Sequence, residues 1–194
     1  MQNGRAGWGL VILALGLWPV KLHAQSARPV ANGTVAEGTL TFDGHASAGD
    51  FTGTTSNLTG EMKGAEGIEG VRGWVEAPVA TLKTGNDRRD RDLNKSMESD
   101  KYPAMRFDLD AVMVTGTGDS VPATLKGRLT IHGVERPVEL PASVVLGADR
   151  AHVRSDFPLN LKDYKIGGLT KLMGMLRMYE NIKVHVDVTF KLGQ

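Results

Sequence analysis

The sequence predicts an all-β protein whose antiparallel strands form a sandwich or a barrel, accompanied by one short helix. The first observation is strict alternation over residues 121–131, where apolar or small side chains occupy the odd positions and mainly polar or charged ones the even positions. This period places the apolar side chains on one face of a strand. The second observation is that similar stretches recur between short glycine-containing turns, a pattern typical of sandwiches and barrels.

The first residues predict a signal peptide. Arg5 precedes an apolar run over residues 8–18, which is shorter than the roughly 20 residues that a membrane-spanning helix needs. Pro19 ends the run and Ala24 offers a small residue for cleavage, with an uncleaved anchor as the alternative. The chain is expected to divide into a signal peptide, a flexible lead and one β-domain, over residues 1–24, 25–33 and 34–194 respectively.

Composition narrows the function and the compartment. Without Arg5 and Lys21, 21 basic residues remain against 22 acidic ones, a net charge of about −1. This balance suggests neither a nucleic-acid partner nor an anionic membrane surface as partner. Membrane insertion of the mature protein is likewise not expected. The chain has no cysteine, which excludes disulfides and thiolate metal sites. An exported protein of this kind fits the bacterial periplasm, where we expect it.

The first half of the domain predicts strands of unequal strength. Ala36, Leu40 and Phe42 share one face of the first strand, and residues 51–55 and 58–63 are short and weakly apolar. The next strand is clearer, with an apolar or small residue at every second position: Val71, Gly73, Val75, Ala77 and Val79. Pro78 indicates an edge or a bulge near its end, since proline donates no ladder hydrogen bond.

Residues 86–97 interrupt the alternation and predict a short helix. Acidic and basic residues lie about four positions apart there, and Leu93 and Met97 are spaced i, i+4. Both spacings favour a helix. Because its apolar stripe is thin, we expect the helix to cover part of the fold with its charged residues in solvent.

The second half of the domain alternates most clearly. One strand has on its apolar face Met105, Phe107, Leu109, Ala111 and Met113. A long hairpin follows over residues 121–131 and 134–146, joined at His132-Gly133 because glycine tolerates the positive φ of a tight turn. Residues 151–155 alternate more weakly and residues 182–192 strictly. In all, the sequence predicts seven to nine antiparallel strands.

Residues 164–177 fit neither a strand nor a polar loop. Four apolar residues have helical spacing there: Leu169, Leu172, Met173 and Leu176. Met173, Met175 and Met178 add flexible, polarizable side chains, which suit variable apolar ligands. The segment is either a lid over a ligand or a loop that covers one open end of the core, and the two interpretations are compatible.

No motif for catalysis, metal or cofactor binding is present. The five histidines, at positions 23, 45, 132, 152 and 185, have no metal-ligand spacing between them. We expect His132 in a turn and His152 and His185 on outward faces, and Asp108 and Asp110 on the solvent side of one strand. The sequence therefore favours a binding protein over an enzyme.

Five short motifs occur in order along the chain. They are Gly-Asp-Phe-Thr-Gly at 49–53, Thr-Gly-Asn with Arg-Asp and Leu over 84–93, Tyr-Pro with Phe107, Leu-Lys-Gly-Arg-Leu-Thr-Ile-His-Gly-Val at 125–134 with Pro137-Val138, and Arg-Ser-Asp-Phe at 154–157. In this combination the chain resembles the YceI family of periplasmic lipid-binding proteins. Pro158 departs from the family pattern, which has glycine after Asp-Phe.

The resemblance implies an eight-stranded antiparallel lipocalin-like β-barrel with one short helix, holding an isoprenoid or similar amphiphilic lipid without catalysis, cofactor or metal. It leaves a homodimer open. The expected barrel lining and lid are Phe42, Val75, Val79, Phe107, Leu109, Leu125, Leu129, Val138, Leu140, Val184, Val186, Leu172, Met173, Met175 and Leu176. Arg89, Arg91 or Lys171 are candidates to meet a polar head.

Three other functions stay open at this point. A packed barrel could bind a protein partner, or an enzyme could act on a lipid in the cavity. An outer-membrane barrel is the third, since alternation alone does not say which face points inward. The aromatic content of 6% disfavours it, because such barrels carry aromatic girdles.

Overall fold

The computed structural model describes residues 29–47, 49–167, 170–171 and 176–193. Its strands are β1 (Gly33–Ala46), β2 (Gly49–Thr55), β3 (Thr59–Lys63), β4 (Arg72–Pro78), β5 (Ala104–Val114), β6 (Val121–Ile131), β7 (Val134–Leu146), β8 (Arg150–Asn160), β9 (Thr170–Lys171), β10 (Leu176–Arg177) and β11 (Asn181–Leu192). Within these residues one α-helix, α1 (Asp87–Ser96), follows β4, and short 3₁₀ helices cover Ile68–Gly70, Val79–Thr81 and Leu161–Tyr164. The predicted all-β class is confirmed.

Eight strands close into an antiparallel barrel in the order β1, β3, β4, β5, β6, β7, β8, β11 and back to β1. β1 completes the ring because one of its edges pairs with β11. Its other edge pairs first with β3, at Gly33 and Thr34, and then with β2, from Leu40 onward. The eight-stranded barrel implied by the family resemblance is therefore confirmed, and a sandwich is excluded.

The apolar faces of the strands point into the barrel. In β6, Ala123, Leu125 and Leu129 are buried in the core. The alternate side chains form ion pairs on the outside, for example Lys126 with Glu139 at 2.8 Å and Arg128 with Asp110 at 2.6 Å. The interior is thus apolar and the outer wall charged. His152 and His185 likewise face outward, paired with aspartates.

Two β-bulges change which residues face the core. The pairing of β5 with β6 shifts between Leu109 and Ala111. As a result Val112 is buried, whereas Met113, expected on the apolar face, is 45% exposed. A similar shift between Val35 and Glu37 in β1 leaves Ala36 exposed. An extra residue in one strand reverses the facing of every side chain beyond it.

The predicted turn between β6 and β7 is present. His132 has a φ of 52° and Gly133 a φ of 70°, the paired positive values of a two-residue hairpin turn. A Cβ atom on Gly133 would lie 2.3 Å from Cε1 of Tyr102. Glycine is therefore required here both by the backbone conformation and by the close aromatic ring.

The structure describes the last part of the expected lead, from residue 29 onward. The expected signal peptide lies outside the described residues. In the expected lead, Val30 and Ala65 exchange backbone hydrogen bonds of 2.8 and 2.9 Å. Val30 is also buried in the core, so this part of the lead packs on the barrel.

Candidate functional site

The barrel interior contains a cavity near the end that α1 covers. Its volume is about 410 Å³, and we call it the outer chamber. Its wall is mostly apolar and comes from both sides of the barrel, including Leu40, Phe42, Met105, Leu129, Ile131, Phe157, Leu159, Ile182 and Val184. An apolar cavity of this size is within the range of small-molecule sites.

A second cavity of about 150 Å³ lies deeper in the barrel, and we call it the inner chamber. Nearly all of its exposed wall is apolar, with contributions from Val75, Phe107, Leu109, Leu125, Leu140 and Val186. The buried hydroxyl of Ser155 donates a hydrogen bond of 2.7 Å to the Pro141 carbonyl. Because this hydroxyl already has an acceptor, the inner chamber favours an apolar occupant.

The apolar stripe of α1 faces the outer chamber. Leu93 and Met97 line it, as the i, i+4 spacing suggested, while Arg88 and Asp92 stand at its rim. Asn86 caps the helix by accepting a hydrogen bond from the Arg89 amide at 3.1 Å. The predicted helix and its covering role are thus confirmed.

Asp90 anchors α1 to the barrel and is an exception to the expected solvated charges. Its side chain is only 8% exposed. Oδ1 accepts hydrogen bonds from the Thr84 hydroxyl at 2.6 Å and the Thr84 amide at 2.9 Å. The hydroxyl bond outweighs the opposing effect of burial, and the pKa of Asp90 is lowered. A carboxylate held in this way fixes the start of the helix.

Arg89 is held at the rim by two kinds of contact. Its guanidinium lies 4.3 Å from the centre of the Phe51 ring. Its Nε donates to the Thr84 hydroxyl at 3.0 Å and an Nη to the Thr84 carbonyl at 3.2 Å. The rim also includes Asp50 and Ser96. Cations, acids and neutral donors thus surround an apolar interior.

The segment after β8 forms another part of the chamber wall. Leu161 and Ile166 line the chamber and are buried. Tyr164 is also buried, and burial raises the pKa of its phenol. The Tyr164 carbonyl lies 3.1 Å from Nδ1 of His132. Nε2 of His132 lies 2.9 Å from Glu98, so the predicted turn histidine connects this segment with the end of α1.

The residues predicted to line the barrel and its lid fall into three groups according to where the structure places them. Nine line one or both chambers: Phe42, Val75, Phe107, Leu109, Leu125, Leu129, Leu140, Val184 and Val186. Val79 and Val138 pack in or against the core but line neither chamber. Leu172, Met173 and Met175 lie outside the described residues, as does the side chain of Leu176. Their role as a lid stays a prediction.

Sequence reasoning missed part of the chamber wall, and its head-group candidates lie at different places in the structure. Leu82 and Leu161 follow the ends of strands, where alternation gives no signal. The only sequence indication for Ile166 was its place in the apolar segment. Arg89 lies at the rim, but Arg91 lines a groove on the outside of α1. The side chain of Lys171 is not described.

Two findings concern other kinds of site, and both refer to the described residues alone. No three histidine, aspartate or glutamate side chains among them form a group that could hold a metal ion. No helix among them is long and apolar enough to cross a membrane.

Comparison with known proteins gives a family match over most of the chain. The family model for the YceI-like domain matches residues 27–190. UPF0312 proteins of Pseudomonas savastanoi pv. phaseolicola and Pseudomonas syringae pv. syringae are each 32% identical to the chain over 102 residues. These residues cover 48% of this chain and 52% of each relative, so the match spans about half the length of these curated relatives.

Solved structures share the barrel at low sequence identity. A polyisoprenoid-binding domain from Saccharophagus degradans has a TM-score of 0.70 at 16% identity, covering 84% of this chain and 99% of that one. Burkholderia cenocepacia BcnA has a TM-score of 0.67 at 13% identity, covering 78% and 95%. The Campylobacter jejuni YceI protein has a TM-score of 0.57 at 17% identity, covering 73% and 85%. At these identities the likeness shows the fold.

Proposed function

This chain belongs to the YceI-like family, and from that premise we propose that it binds one long apolar lipid of the isoprenoid type inside its barrel, without catalysis. The observation that carries the proposal is the outer chamber, an apolar cavity of about 410 Å³ with polar residues at its rim. An amphiphile with a long apolar chain and a polar head matches this arrangement. The polyisoprenoid-binding domain of Saccharophagus degradans, which shares the fold, supports the choice of ligand class.

Burial of the apolar chain supplies the affinity. At about 25 cal/mol per Å², a chain that loses ~400 Å² of apolar surface to the protein gains ~10 kcal/mol before ordering costs. The wall offers few groups that would select a particular chain by hydrogen bonding. Affinity for the lipid chain therefore depends on the length and shape of that lipid rather than on polar recognition.

The head of the lipid lies at the rim in this proposal. Arg88, Arg89 and Asp92 stand there together with Asn86. Two cations close to an amide group suit a head with oxygen acceptors. Arg89 is already oriented by Thr84 and Phe51, so little side-chain entropy is lost when it meets a ligand.

The protein acts in the periplasm in this proposal, as a carrier or a store. The argument comes from the sequence, which predicts an export signal over residues 1–24 and contains no cysteine. A cavity inside the barrel shields a water-insoluble lipid chain during passage through an aqueous compartment. Residues 172–176 are proposed as the lid over the same end of the barrel, because their neighbours Ile166 and Met178 both line the outer chamber.

Native mass spectrometry of protein purified without detergent, followed by solvent extraction, tests the proposal. We expect a co-purified apolar lipid in about one copy per chain. The variant Ile182→Trp places a large ring in the outer chamber, which Ile182 lines, and should lose the lipid. Val145→Trp is the matched control, since Val145 is 39% exposed. Wild-type protein that is empty, and that binds no added isoprenoid alcohol, would exclude the function.

A further inference from the structure

The two chambers share a boundary of four side chains. Leu40, Met105, Leu129 and Phe157 line both the outer and the inner chamber. A residue that contacts both cavities lies between them, so these four side chains narrow the interior at one level. We call this set the waist.

The order of the strands places the waist residues on opposite sides of the barrel. Leu40 is in β1 and Leu129 in β6, which stand four strands apart in a ring of eight. Met105 of β5 faces the region of β8 and β11, and β8 carries Phe157. The waist therefore closes the interior from both sides. A chain that fills the outer chamber must pass between these side chains to reach the inner one.

The inner chamber ends at the far side of the barrel. Val30, Ile68 and Leu146 line it there. Ile68 begins the 3₁₀ helix that follows β3, and it packs against the core. A ligand chain that enters from the outer chamber therefore meets first the waist and then the wall formed by Val30, Ile68 and Leu146.

Met105 is the waist residue most able to move. Its unbranched thioether side chain has more rotatable bonds than leucine or phenylalanine and adapts to irregular space. It is partly buried, whereas Leu129 and Phe157 are buried in the core. A change of Met105 rotamer alters the opening without moving the backbone.

We propose that the waist, and Met105 in particular, determines which chain lengths the protein binds. This inference rests on the proposed function and deepens it. Chains that end in the outer chamber bind without a change in the waist. Longer chains bind only when Met105 swings aside and their ends enter the inner chamber. The preferred ligand class is thus a flexible apolar chain long enough to occupy both chambers.

The test uses straight-chain primary alcohols of increasing length, which displace an apolar fluorescent dye from the delipidated protein. Each added methylene should tighten binding by about fourfold while the outer chamber fills. At the waist the gain per methylene should drop sharply, and it should recover once the chain enters the inner chamber. In Met105→Ala the drop should disappear, and long alcohols should bind at least tenfold more tightly than they bind the wild type.

Two matched methionine variants test whether an effect of Met105→Ala comes from opening the waist or only from enlarging a chamber. Met97 lines only the outer chamber and Met62 only the inner one. Met97→Ala should keep the drop and move it to longer alcohols. Met62→Ala should keep it at the wild-type length. Circular dichroism confirms that each variant is folded.

The outcomes distinguish the inference from the proposed function. If the alcohols bind but the gain per methylene is smooth in the wild type and unchanged in Met105→Ala, the waist has no role and lipid binding still stands. A drop that disappears equally in all three alanine variants would also exclude the waist. If the folded protein binds no alcohol of any length, both the inference about the waist and the proposed lipid-binding function are wrong.

Discussion

At the scale of single residues, Asp90 connects the covering helix to the barrel. Its carboxylate accepts both polar hydrogens of Thr84 in a buried position. We expect Asp90→Ala to lower the free energy of unfolding by about 2 kcal/mol, because it leaves the buried Thr84 amide without its acceptor. Urea unfolding followed by circular dichroism measures the change.

The control for Asp90 lies on the same helix. Asp87 is exposed in the first turn of α1, so Asp87→Ala should cost only about 0.5 kcal/mol through the helix dipole. The pKa of Asp90 is lowered in the folded state. Its contribution is therefore present above the ordinary carboxyl pKa and is lost as the pH falls through the folded-state value. Equal effects of the two variants would contradict the anchoring role.

His185 makes the outer wall sensitive to pH. Its ring lies between two carboxylates on neighbouring strands: Nδ1 bonds to Asp156 of β8, and Nε2 lies 3.1 Å from Asp43 of β1. The hydrogen bonds to Asp156 and then Asp43 raise the pKa of His185 above its ordinary value of 6.5. Folding therefore favours the protonated ring.

We expect the stabilising effect of His185 to be complete below its unfolded-state pKa and to be lost as the pH rises through the raised folded-state pKa. The free energy of unfolding of the wild type minus that of His185→Gln should therefore be largest in mildly acidic solution and decline toward alkaline pH. Chemical unfolding across a pH series measures this difference. A difference that does not vary with pH would show that folding does not raise the pKa of His185.

At the scale of elements, the turn between β6 and β7 depends on one glycine. Gly133 combines a positive φ with a close Tyr102 ring. Gly133→Ala should destabilise the protein by about 2 kcal/mol or more, from left-handed backbone strain and the contact with the ring. Thermal and urea unfolding measure the loss.

Gly167 provides the comparison for Gly133. A Cβ atom there would meet no heavy atom within 4 Å. Gly167→Ala should therefore stay within about 0.5 kcal/mol of the wild type. If both alanine variants were equally stable, the turn would not need its glycine.

Elements with strict alternation were predictable to within a residue or two. In β6 and β11 one face is buried or half-buried along the whole strand, and in β7 the same holds for every residue of that face except the exposed Arg136. The period alone identifies that face. The bulges in β1 and β5 were not predictable, because an unpaired residue depends on how two strands meet and not on the pattern of one of them. The prediction that Met113 lies on the apolar, inward face of its strand was wrong for this reason.

At the scale of the whole molecule, the barrel interior contains two chambers rather than a completely filled core. Val184 lines the outer chamber, while Val79 is fully buried and lines neither. Val184→Phe should change the free energy of unfolding by less than about 1 kcal/mol, since the added ring carbons enter free volume. Val79→Phe should cost about 1–3 kcal/mol through overpacking. Urea unfolding of delipidated protein tests the contrast, which two equally destabilised variants would contradict.

By itself, the sequence determined the strands, the apolar face of most of them, the covering helix and the family, because these depend on local periodicity and on short motifs. Only the tertiary structure decided that the barrel interior is divided into two chambers and that Asp90 is buried. It also decided that Leu82, Leu161 and α1 come together at one end of the barrel, where they line the outer chamber. The physical reason is that a cavity is the space left between side chains from distant parts of the chain, and its shape depends on how the strands tilt and pair around the closed ring.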